Sequence, residues 1–176
     1  MTLCYLDECG FAPSQPVSYS WTLRGQRKRV PYENPRGRRV NLLAALVQDG
    51  PTPSLTWDQA PRTLSSLDLL AFLAGIPRAA GQPLVVVLDN GSSHISRLIK
   101  DALPQLWAKR IYLYYLPPYS PELNPIERVF RVVKHYDLPE RTYTTLAALE
   151  TAIDAAFSRY EAKLLTKTAP YSGLAA

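Results

Sequence analysis

Leu84-Val85-Val86-Val87-Leu88-Asp89-Asn90-Gly91 reads as a buried strand that ends in a carboxylate and a turn. A continuous apolar, β-branched run suits a strand covered by helices on both faces, since neither face then needs a polar side chain. Asp89-Asn90-Gly91 stops it with turn residues. Upstream, Leu64, Leu67, Leu70, Ala71 and Ala74 recur at helical spacing between Thr63 and about Ala80, so a crossover helix feeds the strand and parallel pairing becomes available.

Further upstream, Met1 to Leu6 is an apolar run ending in Asp7, Glu8 and Cys9-Gly10-Phe11, again a strand running into a turn. Val17 to Val30, interrupted by Gly25, and Arg38 to Gln48 read as two more strands joined through the Pro31 to Gly37 loop, with Leu55 to Trp57 as an extension. Downstream of Gly91, Ser92 or Ser93 can cap a helix whose Ile95, Leu98, Ile99, Ala102, Leu103 and Leu106 make one apolar stripe up to Trp107. Ile111 to Leu116 is the next strand. The Pro-rich Pro117 to Pro125 loop then starts a helix, with Asn124 at N-cap, Pro125 at N1 and Glu127 in the first turn. A last helix from about Thr145 to Leu165 turns Leu146, Leu149, Ile153, Phe157, Tyr160 and Leu164 inward. The chain therefore reads as one α/β domain over residues 1–165, with 166–176 a frayed tail and no internal repeat.

Composition narrows the function classes. At 176 residues and 47% apolar content the chain can bury a core of its own. It contains neither a run of apolar residues long enough for a membrane span nor a signal-peptide pattern, so a soluble intracellular protein is expected. Two cysteines and two histidines argue against a disulfide framework or a structural zinc. The net charge is +5 and the pI near 9.3, with the excess gathered in Arg24, Arg27, Lys28, Arg29, Arg36, Arg38 and Arg39, opposed only by Glu33. Such a cluster suits a polyanion, because each neutralised phosphate releases counterions; a solvated hairpin face is the structural alternative.

Asp7 and Asp89 both end apolar strands separated by a crossover, an arrangement that places ligands at the carboxyl edge of an α/β sheet. On neighbouring strands they would stand roughly 5 Å apart. Two carboxylates at that separation repel, which favours a raised pKa or a bound cation, and a third acid, Glu127, arrives from a helix start. Oxygen ligands suit Mg²⁺ or Mn²⁺, and a pair of such ions can drive displacement at a phosphodiester. Each acid also has a purely structural account. Asp89-Asn90-Gly91 could be turn chemistry alone, Glu127 could bond back to Asn124 in a capping box, and Glu8 competes with Asp7 unless strand alternation turns it to the other face. Arg131 and Lys134 share a helix face with Glu127, as cations tracking a strand beside the metal or, for Arg131, as an intrahelical ion pair.

Three segments resemble the DDE transposases of the bacterial insertion-sequence branch of the mariner-like superfamily. They are Asp7-Glu8-Cys9-Gly10-Phe11, then Val87-Leu88-Asp89-Asn90-Gly91-Ser92-Ser93-His94, then Leu116-Pro117-Pro118-Tyr119-Ser120-Pro121-Glu122-Leu123-Asn124-Pro125-Ile126-Glu127. The resemblance implies an RNase H-like fold, a mixed five-stranded sheet flanked by helices. It implies Asp7, Asp89 and Glu127 as ligands of Mg²⁺ or Mn²⁺, in all two ions. It implies cleavage of DNA at the element's ends and strand transfer to target DNA, with the transposon's terminal inverted repeats as partner. A homodimer in the DNA complex and action on the nucleoid in the cytoplasm go with this reading. Lys134 matches a basic position near the DNA end, and Asn90 and His94 match residues that shape the site.

The spacing from Asp89 to Glu127, 38 positions, slightly exceeds the family's usual one, and the surplus is expected around Pro104 to Arg110. Family members carry an N-terminal helix-turn-helix region, whereas this chain starts at its first catalytic strand. An upstream frame or separate product is expected to supply it, or else the chain is a truncated remnant, incompetent for transposition, that serves only as a DNA-binding or structural fragment. An RNase H-like junction nuclease would share the acids but has no need of the Leu116 to Glu127 signature.

Overall fold

In the computed structural model, which describes residues 1–14, 21–27, 29, 38–50, 52–138 and 142–168, the run at Leu84 is the fourth of five strands. These are β1 (Thr2–Phe11), β2 (Val40–Gln48), β3 (Ser54–Ala60), β4 (Leu84–Leu88) and β5 (Ile111–Tyr115), in the spatial order β3-β2-β1-β4-β5. β1, β2 and β3 pair antiparallel, whereas β4 lies parallel to both β1 and β5. The sheet is mixed and five-stranded, as expected.

Helices cover both faces. α1 (Ser66–Gly75) and α2 (Arg97–Ala108) pack Leu69, Leu73, Ile99 and Leu106 against Cys4, Leu6, Leu43, Val86 and Leu88. On the opposite face α3 (Ile126–Val132), continuing as a π-helical turn over Val133–Asp137, and α4 (Leu146–Thr168) pack Ile126, Phe130, Leu149 and Phe157 against Cys9, Phe11, Leu42 and Ala44. Period-two alternation along β1 sends Cys4 and Leu6 to the first core and Cys9 and Phe11 to the second. The two thiols therefore lie on opposite faces of one strand and cannot bond to each other.

Several boundaries differ from the sequence reading. β1 continues to Phe11 because β2 pairs with it along its whole length, from Leu3 opposite Gln48 to Phe11 opposite Val40, so Asp7 lies inside a strand rather than at its end. Leu55 to Trp57 belongs to a full strand, β3. Of the segment read as a strand from Val17 to Val30, the described residues Trp21 to Arg27 hold a turn at Arg24-Gly25, and the remainder lies largely outside the described residues, as does the Pro31 to Gly37 loop. α1 spans only Ser66–Gly75, started by a capping box in which Ser65 and Asp68 bond reciprocally. α2 is capped by Ser96, not by Ser92 or Ser93, and its stripe is only half used: Ile99 and Leu106 are buried, while Ile95, Leu98 and Trp107 are exposed. Pro104 lies within α2, so the expected surplus is helix closed by a left-handed turn at Arg110 (φ 59°). α4 runs on to Thr168, past the expected start of a frayed tail at residue 166; residues 169–176 lie outside the described ones. Its inward set is as expected, with Leu149, Ile153 and Phe157 buried and Leu146, Tyr160 and Leu164 packed beside them.

Candidate active site

The β1–β4 ladder runs from Thr2 opposite Leu84 to Tyr5 opposite Val87 and then opens. Continuing that register places Asp7 level with Asp89, and alternation turns both toward the face covered by α3. Such an opening at the carboxyl edge of parallel strands is where α/β sheets bind ligands. α3 brings Glu127 to the same place. Asp7, Asp89 and Glu127 line one cleft of about 410 Å³, with Asn90, Gly91 and Asn124 and with Leu116 to Pro121 of the Pro-rich loop as its wall. Tyr119, fully exposed on the rim, holds a left-handed backbone conformation (φ 58°).

Local hydrogen bonds fix one oxygen of each aspartate. Asp7 Oδ1 accepts from the Glu8 amide at 2.8 Å, and Asp89 Oδ1 accepts from the Gly91 amide at 2.8 Å and from His94 Nδ1 at 2.7 Å. A carboxylate only accepts, so Nδ1 carries the proton. Burial, joined by the charges of Asp89 and Glu127 and opposed by the Glu8 amide and His94, pushes the Asp7 carboxyl up to about 7. The acids therefore repel one another.

Glu8 faces away from Asp7, as alternation requires. Its Oε1 accepts from the Ser93 hydroxyl at 2.9 Å and lies 3.5 Å from His94 Nε2, and His94 is buried between Glu8 and Asp89. Burial lowers the His94 pKa, but the two flanking carboxylates outweigh it and the net shift is upward. Contact with His94 first, then the Ser93 hydroxyl, holds Glu8 below its usual range against the effect of burial. Asn90 donates to the Leu116 carbonyl and so ties the end of β4 to the Pro-rich loop.

The capping account of Glu127 fails on geometry. No side chain caps α3, and Asn124 Oδ1, which a capping box would aim at a helix amide, is buried without a partner. Asn124 instead donates Nδ2 to the Leu6 carbonyl at 3.2 Å, with Asp7 Oδ2 at 3.5 Å. Among the described residues no three or more acidic, His or Cys side chains stand close enough together to hold a metal ion. An open set of carboxylate oxygens is nonetheless the donor type that suits Mg²⁺ or Mn²⁺, ions held by one or two carboxylates with water and substrate phosphate completing the shell. Burial first, and then the charges of Asp89 and Glu127, disfavour the Asp7 carboxylate, and a divalent cation beside it would offset both.

A second recess of about 410 Å³ adjoins the first and is lined by Glu8, Arg39, Glu127, Phe130, Arg131, Lys134 and His135 among others. Lys134 sits in the π-helical turn with its Nζ 5.3 Å from the Phe11 ring centroid. Three of the expected DNA-binding cations thus meet beside Glu127. Arg38 points elsewhere, donating to the Thr144 carbonyl at 3.1 Å. Arg24, Arg27 and Arg29 are exposed and line neither recess, and Lys28 and Arg36 lie outside the described residues.

The sequence profile of the DDE superfamily endonucleases matches residues 2–150, which include all three acids. The chain belongs to the DDE superfamily endonuclease family. A curated relative of this DDE endonuclease, the uncharacterized protein y4pE/y4sA of Sinorhizobium fredii (strain NBRC 101917 / NGR234), is 33% identical over 89 residues, covering 49% of the chain and 62% of the relative. Among solved structures, the Mos1 mariner paired end complex with Mn matches at a TM-score of 0.64 and 16% identity, over 97% of the chain and 56% of that protein. The Mos1 transposase paired-end complex with left transposon end matches at 0.62 and 17%, over 94% and 53%. The catalytic domain of Mos1 mariner transposase matches at 0.52 and 14%, over 94% of the chain and 78% of that domain. At these identities the likeness is one of fold. The chain spans little more than half the length of the paired-end proteins, and the part of the fold it shares is the catalytic domain. No helix among the described residues is long and apolar enough to cross a membrane.

Proposed function

We propose that this DDE endonuclease is the catalytic core of a transposase that cleaves DNA at transposon ends and transfers the freed strand to target DNA. The observation that carries the reading is the convergence of Asp7, Asp89 and Glu127 on one cleft at the point where β1 and β4 separate. The three acids hold Mg²⁺ or Mn²⁺, two ions in all. When bound, such a pair activates the attacking oxygen and stabilises the leaving one at a phosphodiester.

The protein's own groups do the positioning. His94 and the Gly91 amide hold Asp89, the Glu8 amide holds Asp7, and the end of β4 is tied through Asn90 to the loop that walls the cleft. Arg39, Arg131 and Lys134 border Glu127 on the side away from the Pro-rich loop, and there they bind the phosphates flanking the scissile one. Arg24, Arg27, Lys28, Arg29 and Arg36 add contacts further along the DNA, whereas Arg38 is held by the Thr144 carbonyl. A helix-turn-helix region reads the terminal inverted repeats, and the active assembly on the nucleoid is a homodimer. A remnant that only binds DNA is the second reading, and the three acids lining one cleft favour the enzyme over it.

Supercoiled plasmid incubated with the chain and Mn²⁺ tests this. Nicking by the wild type, lost in a folded Asp89→Asn variant, supports the assignment. Equal nicking by both chains refutes the metal site, and binding without nicking by the wild type favours the remnant.

A further inference from the structure

Where β1 and β4 part, β1 loses its neighbour one residue beyond Tyr5, and the Leu6 carbonyl is met instead by the side chain of Asn124. Asn124 is only 3% exposed and lies in the cleft wall. Its Nδ2 donates to Leu6 O at 3.2 Å and stands 3.5 Å from Asp7 Oδ2, while its main-chain carbonyl accepts from the Glu127 amide at 3.1 Å. One residue therefore touches the strand and carboxylate of Asp7 and the first turn of the helix that carries Glu127. Its Oδ1 is buried and accepts nothing. An asparagine serving as a helix cap uses that oxygen on a helix amide. Here the oxygen is left idle and the amide nitrogen is the group engaged, so the residue's place is set by β1 and not by the helix end.

We infer that Asn124 is a positioning residue for the metal-binding carboxylates: it takes the place of a ladder partner at Leu6 and fixes the distance between Asp7 and the start of α3. The inference rests on the metal site proposed above. A strut of this kind matters because partners behind metal-binding groups set their orientation, and losing one typically weakens metal affinity by about 10- to 100-fold.

Replacement by serine and by alanine separates the strut from the cap. Serine caps a helix about as well as asparagine, but its hydroxyl is too short to span to Leu6 and Asp7. Mn²⁺ binding to the full chain, followed through the electron paramagnetic resonance of the free ion, should be about tenfold weaker in both Asn124→Ser and Asn124→Ala. Thermal melts with and without Mn²⁺ should show the metal-induced rise in Tm reduced in both. They also give a reading at any temperature where a weakened variant is still folded. Wild-type Mn²⁺ affinity in Asn124→Ser overturns the inference, as does a loss confined to Asn124→Ala. Asp89→Asn is the control: if it binds Mn²⁺ as tightly as the wild type, the metal site itself is wrong, whereas loss there with none in Asn124→Ser removes only the role of Asn124.

Discussion

His94 Nδ1 lies 2.7 Å from Asp89 Oδ1, in a ring whose side chain is only 2% exposed and whose other nitrogen is 3.5 Å from Glu8. One imidazole thus separates two carboxylates, one from each of the parallel strands that frame the cleft. His94→Ala should leave Glu8 and Asp89 facing each other across a void. Mn²⁺ affinity measured by calorimetry should fall by about 10-fold or more, and Tm should fall with it. Unchanged Mn²⁺ affinity would reduce His94 to a packing residue.

Glu127→Gln separates metal binding from helix structure. Gln keeps the shape and the helix propensity but removes the charge, and no cap depends on this side chain. Stability should stay within about 1 kcal/mol of wild type, while Mn²⁺-dependent nicking should drop by orders of magnitude. Melting and plasmid nicking measured on one preparation decide it; a variant that nicks at the wild-type rate returns Glu127 to the helix surface.

What the sequence could disclose followed from how local each signal was. The β4 run and the inward face of α4 depend on neighbours in the chain, and both hold in the structure, while the helix expected to start with Asn124 at N-cap and Pro125 at N1 begins one residue later, with Pro125 at N-cap and Ile126 first. The level placement of Asp7 and Asp89 depends on a strand register set between residues some eighty positions apart, which no local pattern encodes. Ser93 was a reasonable cap until Glu8, from β1, took its hydroxyl, leaving Ser96 to start α2. Asn124 departs from its expected capping role for a similar reason: its Nδ2 is anchored on the Leu6 carbonyl, freed by the opening of the sheet, and its Oδ1 is left without a helix amide. The role of Glu8 was hidden by its more conspicuous neighbour, although alternation did place it on the opposite face.

DNA binding should be electrostatic and weakly sequence-dependent, since the clustered cations offer phosphate contacts and no described element presents a base-reading helix beside them. Arg39, Arg131 and Lys134 together with the exposed Arg24, Arg27 and Arg29 are available, while Arg38 is engaged with Thr144. Neutralising about four to six phosphates predicts a log–log slope of affinity against salt near −4 to −5. Fluorescence anisotropy on two unrelated duplexes tests both statements. Tight, salt-insensitive binding to one of them contradicts this account.

The elevated Asp7 carboxyl makes stability in the absence of metal depend on pH in a direction unusual for an aspartate. Burial first, and then Asp89 and Glu127, raise it from 3.8 to about 7, so between those values the folded chain holds a proton that the unfolded chain has released. Stability therefore declines as pH rises through that interval, and the full penalty is present above about pH 7. Glu8, held below its usual range, acts the opposite way near its own lower pKa, and His94, raised, loses its contribution as pH climbs above the ordinary imidazole value. Asp7→Asn isolates the aspartate. Without divalent cations that variant should be more stable than wild type at pH 8, by on the order of 2 kcal/mol after allowance for solvent screening of a partly exposed group, and close to it at pH 4. Adding Mg²⁺ or Mn²⁺ at pH 8 should stabilise the wild type and leave Asp7→Asn nearly unmoved, since the variant lacks one of the carboxylates that would hold the ion. Urea titrations at the two pH values, each with and without the ion, measure all four quantities; an Asp7→Asn chain no more stable than wild type at pH 8 would show that burial and the neighbouring acids do not disfavour the Asp7 carboxylate in the folded protein.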